Sequence, residues 1–299
     1  MNKLLPCCLY PTTTILIDDD APLTKWLTLK LQPFGPVIVF NDPEEALVYL
    51  RGYVPSTFVN RIDFEDFSLA NLEQERSLND HRNEISCIII DYAMPGLNGL
   101  QLAEALTDFP AKKLMLTGEA DHTLAVEAFN ETVIDQFILK SMDNLMEVLV
   151  ASVFDLKWQR FSELSQSLKA VMEEPIAILS DHRFAEHFFE YLNRTMINEF
   201  YLENEYGDLL LVNESGNTSH YHVREEKVII ALTALAKNLF EQDPDDDREV
   251  LDKLTARTAI PFLPIDFDAG NSSLREWKQY CYDFQIVKGD SQNYYYAVK

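Results

Sequence analysis

The sequence predicts an α/β protein. Its first half is expected to form a doubly wound, five-stranded parallel sheet, and its second half a small α+β domain with a mostly antiparallel sheet. Five short apolar segments alternate with helical segments through the first half, as in parallel α/β sheets. In the second half, turns containing Asn and Gly separate the strand signals, as in hairpins. A chain of 299 residues is also long enough for two domains.

The five strands of the first half are short and apolar, as strands covered on both faces should be. They are expected at residues 13–17, 36–40, 86–90, 113–116 and 136–139. Four helices are expected between them, at residues 23–31, 43–50, 97–106 and 121–130. Asn41 or Asp42 is the expected N-cap of the second helix, because Pro43 follows in the first turn.

Residues 51–85 interrupt this alternation. A structureless loop of this length is unusual inside a compact domain, so the segment is interpreted as an insertion with some helix, near residues 66–81. The segment is expected to be a structural linker. The alternatives are that it covers a site or forms a surface for a partner.

A long helix is expected over residues 144–174, because apolar residues recur every three to five positions with no Gly or Pro before Pro175. The predicted domains are therefore residues 1–143, a linking helix at 144–174, and residues 175–299. In the last domain we expect helices at 182–197, 228–240 and 249–257. We expect strands there at 200–202, 209–212, 220–223, 284–288 and 294–298.

The charge is strongly negative in both halves. The net charge is −24, with 11 Lys and Arg against 24 Asp and Glu up to Trp158, and 14 against 25 after it. Neutralisation of phosphates supplies most non-specific DNA affinity, so an acidic second half disfavours a DNA-binding output. No apolar run is long enough to span a membrane. We therefore expect a cytoplasmic protein with its four cysteines as thiols.

Five polar residues follow the predicted strands of the first half. In a doubly wound sheet the carboxyl ends of the strands meet at one edge, which would bring together Asp18, Asp19, Asp91, Thr117 and Lys140. Three carboxylates there repel each other and need a divalent cation, for which hard oxygen ligands favour Mg²⁺. A hydroxyl and an ammonium group beside them could hold the oxygens of a phosphoryl group.

The same residues lie in sequence stretches that resemble the receiver domain of two-component response regulators. The stretches are Ile-Leu-Ile-Asp-Asp-Asp at 15–20, Ile-Ile-Ile-Asp-Tyr-Ala-Met-Pro-Gly-Leu-Asn-Gly at 88–99, Leu-Met-Leu-Thr-Gly-Glu-Ala at 114–120 and Phe-Ile-Leu-Lys at 137–140. The resemblance covers about residues 10–145 and implies a CheY-like, flavodoxin-like strand order. Residues 175–299 resemble no family in this way.

The resemblance implies a metal site and a phosphoacceptor. Asp91 takes the place of the phosphoacceptor, and Asp19 that of the residue that binds Mg²⁺ directly. Asp18 matches the second acid, and the backbone carbonyl of Ala93 would complete the metal ligands.

The resemblance also implies a switch. Thr117 and Lys140 match the hydroxyl and the ammonium group that hold the phosphoryl group, and Phe137 matches an aromatic residue that moves with Thr117. Two positions depart from the family pattern. Ser141 stands where the family usually has Pro after Lys140. Ala93 has no side chain to orient an attacking water, from which we expect slow self-dephosphorylation.

Other polar features of the second half have simpler interpretations. His220 and His222 are two apart on a predicted strand, and a surface strand is favoured over a metal site. The acidic run at residues 243–247 lacks the spacing of a Ca²⁺ loop and is interpreted as a loop with a helix N-cap. Tyr294, Trp277 and the tyrosines at 295–296 are expected to pack in the core rather than bind a base.

The predicted function is a phosphorylation-controlled response regulator. A sensor histidine kinase or a phosphotransfer protein of a phosphorelay would supply the phosphoryl group, and phosphorylation would change homodimerisation or the docking of the output domain. The output partner, a protein or a small ligand, is not identified by the sequence. The alternatives are that the output domain is an enzyme, for example one acting on nucleotides, or a DNA-binding regulator.

Overall fold

The computed structural model describes residues 4–54, 83–118, 122–169, 175–240, 248–264 and 266–299. These residues form two compact units. One unit contains the described residues from Leu9 to Lys169. The other contains residues 4–8 together with the described residues from 175 to 299. The predicted helix near residues 66–81 and the acidic run at 243–247 lie outside the described residues.

The first unit is built on a five-stranded parallel sheet. Its strands are β2 (Thr13–Ile17), β3 (Val37–Phe40), β4 (Ile85–Asp91), β5 (Lys112–Thr117) and β6 (Gln136–Leu139). They lie in the order β3-β2-β4-β5-β6, and every adjacent pair is parallel. This order confirms the predicted doubly wound, flavodoxin-like sheet. The strand order reverses between β2 and β4, because β3 lies on one side of β2 and the later strands lie on the other.

Within the described residues, five helices cover this sheet: α1 (Ala21–Leu31), α2 (Pro43–Gly52), α3 (Gly99–Ala105), α4 (His122–Asn130) and α5 (Leu145–Lys169). Local sequence sets where several of them begin. The Asp42 carboxylate accepts a hydrogen bond from the Glu44 backbone N–H at 2.7 Å, which caps α2 as predicted. Asn98 and Gln101 form a reciprocal capping box at the start of α3.

Apolar side chains fill both faces of the parallel sheet. On one face, Ile88, Ile90 and Met115 pack with residues of α2, α3 and α4. On the other, Ile89 and Leu114 pack with residues of α1 and α5. Because both faces are covered, the middle of each strand is an apolar run, and polar residues stand near its two ends.

The second unit contains a six-stranded sheet with the order β1-β7-β8-β9-β13-β12. Its strands are β1 (Cys8–Leu9), β7 (Glu199–Leu202), β8 (Leu209–Val212), β9 (Thr218–Glu225), β12 (Gln285–Lys288) and β13 (Asn293–Val298). The adjacent pairs from β7 to β12 are antiparallel. A separate pair joins β10 (Ile260–Pro261) to β11 (Cys281–Tyr282).

Four helices accompany these strands: α6 (His182–Thr195), α7 (Glu226–Phe240), α8 (Arg248–Ala256) and α9 (Leu274–Lys278). Phe184 and Phe188 of α6 are fully buried and contact Tyr221 of β9 edge to face. The predicted α+β domain with a mostly antiparallel sheet is confirmed. The strands β1, β10 and β11 and the helix α9 are additions to the predicted elements.

The long predicted helix is present as α5, which the structure describes as far as Lys169. The proposed division into two domains and a linking helix stays a prediction. Within the described ranges, no helix has both the length and the hydropathy that crossing a lipid bilayer requires. The expectation of a cytoplasmic location rests on the sequence alone and also stays a prediction.

Candidate functional site

The predicted polar residues meet at one edge of the parallel sheet. Asp18 follows β2, Asp91 ends β4, Thr117 ends β5 and Lys140 follows β6. The register aligns these ends, since Asp91 is paired with Leu116 and the backbone N–H of Lys140 donates to the carbonyl of Thr117 at 2.9 Å. The parallel topology therefore gathers residues that are up to 122 positions apart in the sequence.

Lys140 bridges two buried carboxylates at this edge. Its Nζ atom lies 2.8 Å from Oδ2 of Asp18 and 2.8 Å from Oδ1 of Asp91. The side chain of Asp18 is fully buried and that of Asp91 is 5% exposed, whereas that of Lys140 is 27% exposed. A cation at this point offsets the repulsion and the loss of hydration that two buried carboxylates would otherwise suffer.

These contacts shift the pKa values of the paired groups. Burial raises the pKa of Asp91, and the nearby charge of Asp18 adds to this, while the hydrogen bond from Lys140 opposes it. Burial alone would lower the pKa of Lys140, but its hydrogen bonds to Asp18 and Asp91 raise that pKa overall. Lys140 is therefore a fixed positive charge at any physiological pH.

A third carboxylate completes an acidic cluster. Asp18, Asp19 and Asp91 each offer a carboxylate oxygen, and these three oxygens lie within 4.8 Å of one another. Asp19 is exposed whereas the other two are buried, so the cluster is open to solvent on one side. Hard oxygen donors with an open side suit Mg²⁺, which keeps several of its waters. The residues present therefore fit the expected cation.

The structure resembles that of a response regulator along nearly its whole length. The Legionella pneumophila response regulator LqsR superposes with a TM-score of 0.75 and 27% sequence identity, over 98% of this chain and 88% of that chain. The N-terminal half is a response-regulator receiver domain. The similarity extends through the second unit and supports a two-component response regulator.

Other solved structures match the receiver alone. A CheY-like receiver domain protein from Methanospirillum hungatei JF-1 is 17% identical over 51% of this chain and 98% of its own, with a TM-score of 0.37. Full-length FixJ from B. japonicum is 24% identical over 50% of this chain and 60% of its own, also with a TM-score of 0.37. At a TM-score of 0.37, neither match supports a conclusion about this chain. No protein-family model and no curated protein matches the sequence.

Thr117 and Phe137, two of the predicted switch residues, lie on β5 and β6. Thr117 is fully buried, and its hydroxyl donates to the carbonyl of Gly118 at 3.1 Å. Phe137 packs against the core beneath α4, with its ring centroid 6.3 Å from that of Phe129 in a T-shaped contact. Their roles, and that of the Ala93 carbonyl as a metal ligand, stay predictions. The described residues, including Ser141, contain no cis peptide bond.

Sequence reasoning missed two residues that shape the site. The Asn41 side-chain amide donates to the backbone carbonyl of Asp18 at 2.7 Å and holds the acidic loop. Gly99 approaches the loop after β4 so closely that a Cβ atom would lie 2.2 Å from the carbonyl oxygen of Asp91. Their position in the chain gives no sign of these contacts, because both depend on how distant segments pack.

The candidate features of the second unit have structural partners. Nδ1 of His220 lies 2.8 Å from Oε2 of Glu203, and Nδ1 of His222 lies 3.1 Å from Oδ2 of Asp208. Within the described residues, the acidic edge of the receiver is the one cluster whose ligand atoms are close enough for a shared metal. Trp277 and Tyr294 are buried, as predicted.

Proposed function

We propose that Asp91 accepts a phosphoryl group from the phosphohistidine of a sensor kinase or of a phosphotransfer protein, in the presence of Mg²⁺. The observation that carries this proposal is the bridge of Lys140 between Asp18 and Asp91, with Asp19 beside them at the open edge of the sheet. A buried ion pair placed only for stability would not need a third, exposed acid next to it.

In this reaction a carboxylate oxygen of Asp91 attacks phosphorus while the bond from phosphorus to the histidine nitrogen breaks. The ammonium group of Lys140 offsets negative charge on the phosphoryl oxygens, and the hydroxyl of Thr117 turns toward one of them. Asp18 and Asp19, with Asp91, would hold Mg²⁺, which when bound neutralises charge on the phosphoryl oxygens.

The proposed output is a change in homodimerisation or in the docking of the second unit. Movement of Thr117 and Phe137 toward the phosphoryl group would reshape the face formed by α4, β6 and α5. The second unit would then bind a protein or a small ligand. Its acidic composition disfavours DNA as the target.

Light scattering with Mg²⁺, with and without beryllofluoride, tests the proposal, because beryllofluoride mimics the phosphoryl group on an aspartate. We expect the mass of the wild type to double with beryllofluoride and that of Asp91→Asn to stay unchanged. Asp20→Asn is the matched control, since Asp20 lies in the same acidic loop but caps α1, accepting from the Leu23 N–H at 3.0 Å. Asn also serves as an N-cap.

Phosphoramidate labelling followed by mass spectrometry tests the acceptor directly. A phosphoryl group on Asp91 in the wild type and in Asp20→Asn supports the proposal. Loss of labelling only in Asp20→Asn, or labelling of another aspartate in the wild type, would refute it. A labelled chain that keeps its mass would retain the phosphoacceptor and exclude dimerisation as the output.

A further inference from the structure

The second unit has a pocket that the receiver chemistry does not use. It has a volume of 360 Å³ and lies where the C-terminal part of α6 meets β12 and β13. Its walls are formed by Tyr191 and Arg194 of α6, by Asp283, Phe284 and Gln285, and by residues 296–299. Pockets of this size accommodate small organic ligands.

Arg194 gives the pocket an unpaired cation. In the part of the chain that the structure describes, the recorded contact of its guanidinium is with the ring of Tyr191, 5.8 Å from the ring centroid. The other cation at the pocket, Lys299, lies 4.3 Å from the centroid of the Tyr282 ring. Arg194 is exposed, and among the described residues no carboxylate, including that of Asp283 in the pocket wall, forms a salt bridge with it, so it is available to a ligand anion.

One buried polar atom behind the pocket lacks a partner. Nε2 of His187 is inaccessible to solvent and has no hydrogen-bond partner among the described groups. Leaving such a group unsatisfied costs about 1–3 kcal/mol, and buried polar groups in folded proteins are rarely left unpaired. The hydroxyl of the fully buried Tyr221 is hydrogen-bonded to that of Tyr296.

His187 and Tyr221 both pack against the ring of Tyr296 in the pocket wall. The Tyr221 ring is stacked on that of Tyr296, with centroids 4.6 Å apart and planes within 8°. The ring of His187 lies 5.4 Å from the Tyr296 ring, and that of Tyr191 lies 5.2 Å from the Tyr221 ring. His187, Tyr191 and Arg194 are spaced by four and three residues on α6, which places them on one helical face.

The tyrosines of this cluster are hydrogen-bond donors at physiological pH. Burial raises the pKa of Tyr191, Tyr221 and Tyr296, so their hydroxyls keep their protons. The hydroxyl of Tyr296 donates to Oε1 of Gln285 at 2.5 Å, which fixes the ring at the pocket wall. The pocket thus combines a free guanidinium, hydroxyl donors and aromatic walls.

We propose that this pocket binds a small aromatic anion, such as an aromatic carboxylate or phosphate ester. Arg194 and the hydroxyl of Tyr191 bind the acidic group, and the flat ring of the ligand lies along Tyr296 and Phe284. The site is separate from the receiver chemistry and makes the second unit a ligand-sensing output.

Binding is measured on the full chain by ligand-observed NMR and calorimetry with four probes: benzoate, phenyl phosphate, benzyl alcohol and inorganic phosphate. We expect the two aromatic anions to bind, and the neutral alcohol and the bare phosphate to bind at least roughly tenfold more weakly, because each lacks one of the two recognised features. The ratio between benzoate and phenyl phosphate distinguishes a carboxylate site from a phosphate site.

Two variants and a control locate the site. Arg194→Gln should weaken binding of both aromatic anions by roughly tenfold or more. Arg183→Gln, an exposed arginine of the same helix outside the pocket, should leave it unchanged. Tyr191→Phe, which removes the hydroxyl donor to the acidic group, should weaken binding severalfold while the circular dichroism spectrum is unchanged.

Equal binding by Arg194→Gln and Arg183→Gln would overturn the proposal. So would binding of benzyl alcohol as tight as that of benzoate. Failure of both aromatic anions to bind at millimolar concentration would overturn it too, provided that the same sample still responds to beryllofluoride.

Discussion

The Nζ atom of Lys140 lies 2.8 Å from Oδ1 of Asp91, the carboxylate that we propose to be phosphorylated. The same ammonium group is 2.8 Å from Oδ2 of Asp18. Lys140 is thus the counter-ion of the acidic edge before any metal or phosphoryl group arrives.

Replacing this lysine should change stability and metal affinity in opposite directions. Lys140→Gln leaves Asp18 and Asp91 without their counter-ion, so we expect the free energy of unfolding of the receiver to fall by about 2 kcal/mol without Mg²⁺. Mg²⁺ should bind the variant more tightly than the wild type, because the competing positive charge is gone. Beryllofluoride should bind more weakly, because its fluorines lose a charged partner.

Urea unfolding and Mg²⁺ calorimetry check these effects, with Lys30→Gln, an exposed substitution on α1, as the control. Mg²⁺ binding by Lys140→Gln that is weaker than that of the wild type would contradict the role given to the ammonium group.

Gly99, which lies next to the site, should matter as much as the charged residues for the stability of the receiver and for phosphorylation of Asp91. A Cβ atom on Gly99 would lie 2.2 Å from the carbonyl oxygen of Asp91 and 2.9 Å from Cα of Tyr92, and backbone atoms cannot move aside as a side chain can. We expect Gly99→Ala to destabilise the receiver by about 1–3 kcal/mol and to lower phosphorylation of Asp91.

The control for this substitution is Gly52→Ala at the end of α2, where a Cβ atom would have no neighbour within 4 Å. That change should leave stability unchanged or raise it by up to about 1 kcal/mol, since Ala restricts the unfolded chain. Thermal unfolding compares the two variants. Equal melting temperatures would show that the loop accommodates the methyl group.

The residue two positions after Asp91 should set the lifetime of the phosphorylated state. Ala93 is exposed and its side chain cannot hold a water in line with the phosphorus atom. We expect Ala93→Asn to speed the loss of the phosphoryl group by roughly tenfold or more, since its amide can orient a water. The decay of phosphorylated protein in Mg²⁺ measures this. A wild-type lifetime of seconds, unchanged in Ala93→Asn, would be inconsistent with it.

The charged residues of the receiver site could be located from the sequence, because parallel strands end at a common edge and each of Asp18, Asp91, Thr117 and Lys140 directly ends an apolar run. Contacts that join distant segments could not be located from the sequence. The two-residue strands β10 and β11 carry too short a pattern to identify. The pocket at Arg194 depends on a pairing between α6 and Tyr296 that no periodicity encodes. The predictable part is the part that strand topology alone determines.

The second unit should lose stability in acid through one buried carboxylate. Burial alone would raise the pKa of Asp208, but hydrogen bonds from His222 and the charge of Arg224, whose Nη1 is 2.6 Å away, lower that pKa to about 2. The folded pKa is below the unfolded value of 3.8. The stabilisation is therefore present above about pH 4 and is lost as the pH falls to about 2, by about 2 kcal/mol.

Asp208→Asn should remove this acid dependence and destabilise the unit at neutral pH by about 3 kcal/mol, since Arg224 is fully buried and would lose its counter-ion. Glu203→Gln, which affects only an exposed pair with His220, should cost less than about 1 kcal/mol. Fluorescence of Trp277, in a chain whose other two tryptophans are Phe, follows the unfolding of this unit. Similar losses in the two variants would refute the assignment.

The receiver should gain stability in alkali because of a lysine buried at the opposite edge of its sheet. Lys157 is 4% exposed, and its Nζ atom donates to the carbonyls of Thr12 at 2.8 Å and Phe34 at 3.1 Å. Burial lowers the pKa of Lys157 from 10.5 to about 8. An amine keeps donors for both carbonyls after it loses its proton, so deprotonation removes a buried charge without removing these bonds.

The folded pKa of Lys157 lies below the unfolded value, so the unfolded chain binds more protons between these two pH values and stability rises with pH across that window. Below about pH 8 the buried charge of Lys157 lowers the free energy of unfolding by its full amount. By about pH 10.5 this destabilisation has disappeared, a change of about 3 kcal/mol. We therefore expect the wild type to gain about this much relative to Lys157→Met as the pH rises from about 8 to about 10.5. Comparison with the variant cancels the other groups that titrate in alkali.

Urea unfolding at a series of pH values measures the difference, with Trp26 and Trp158 as the reporters in a Trp277→Phe background. Lys30→Met, on the exposed face of α1, should show no such slope against the wild type. If the gap between Lys157→Met and the wild type were constant over this range, Lys157 would remain charged in the folded receiver, held so by the two carbonyls that accept its hydrogen bonds.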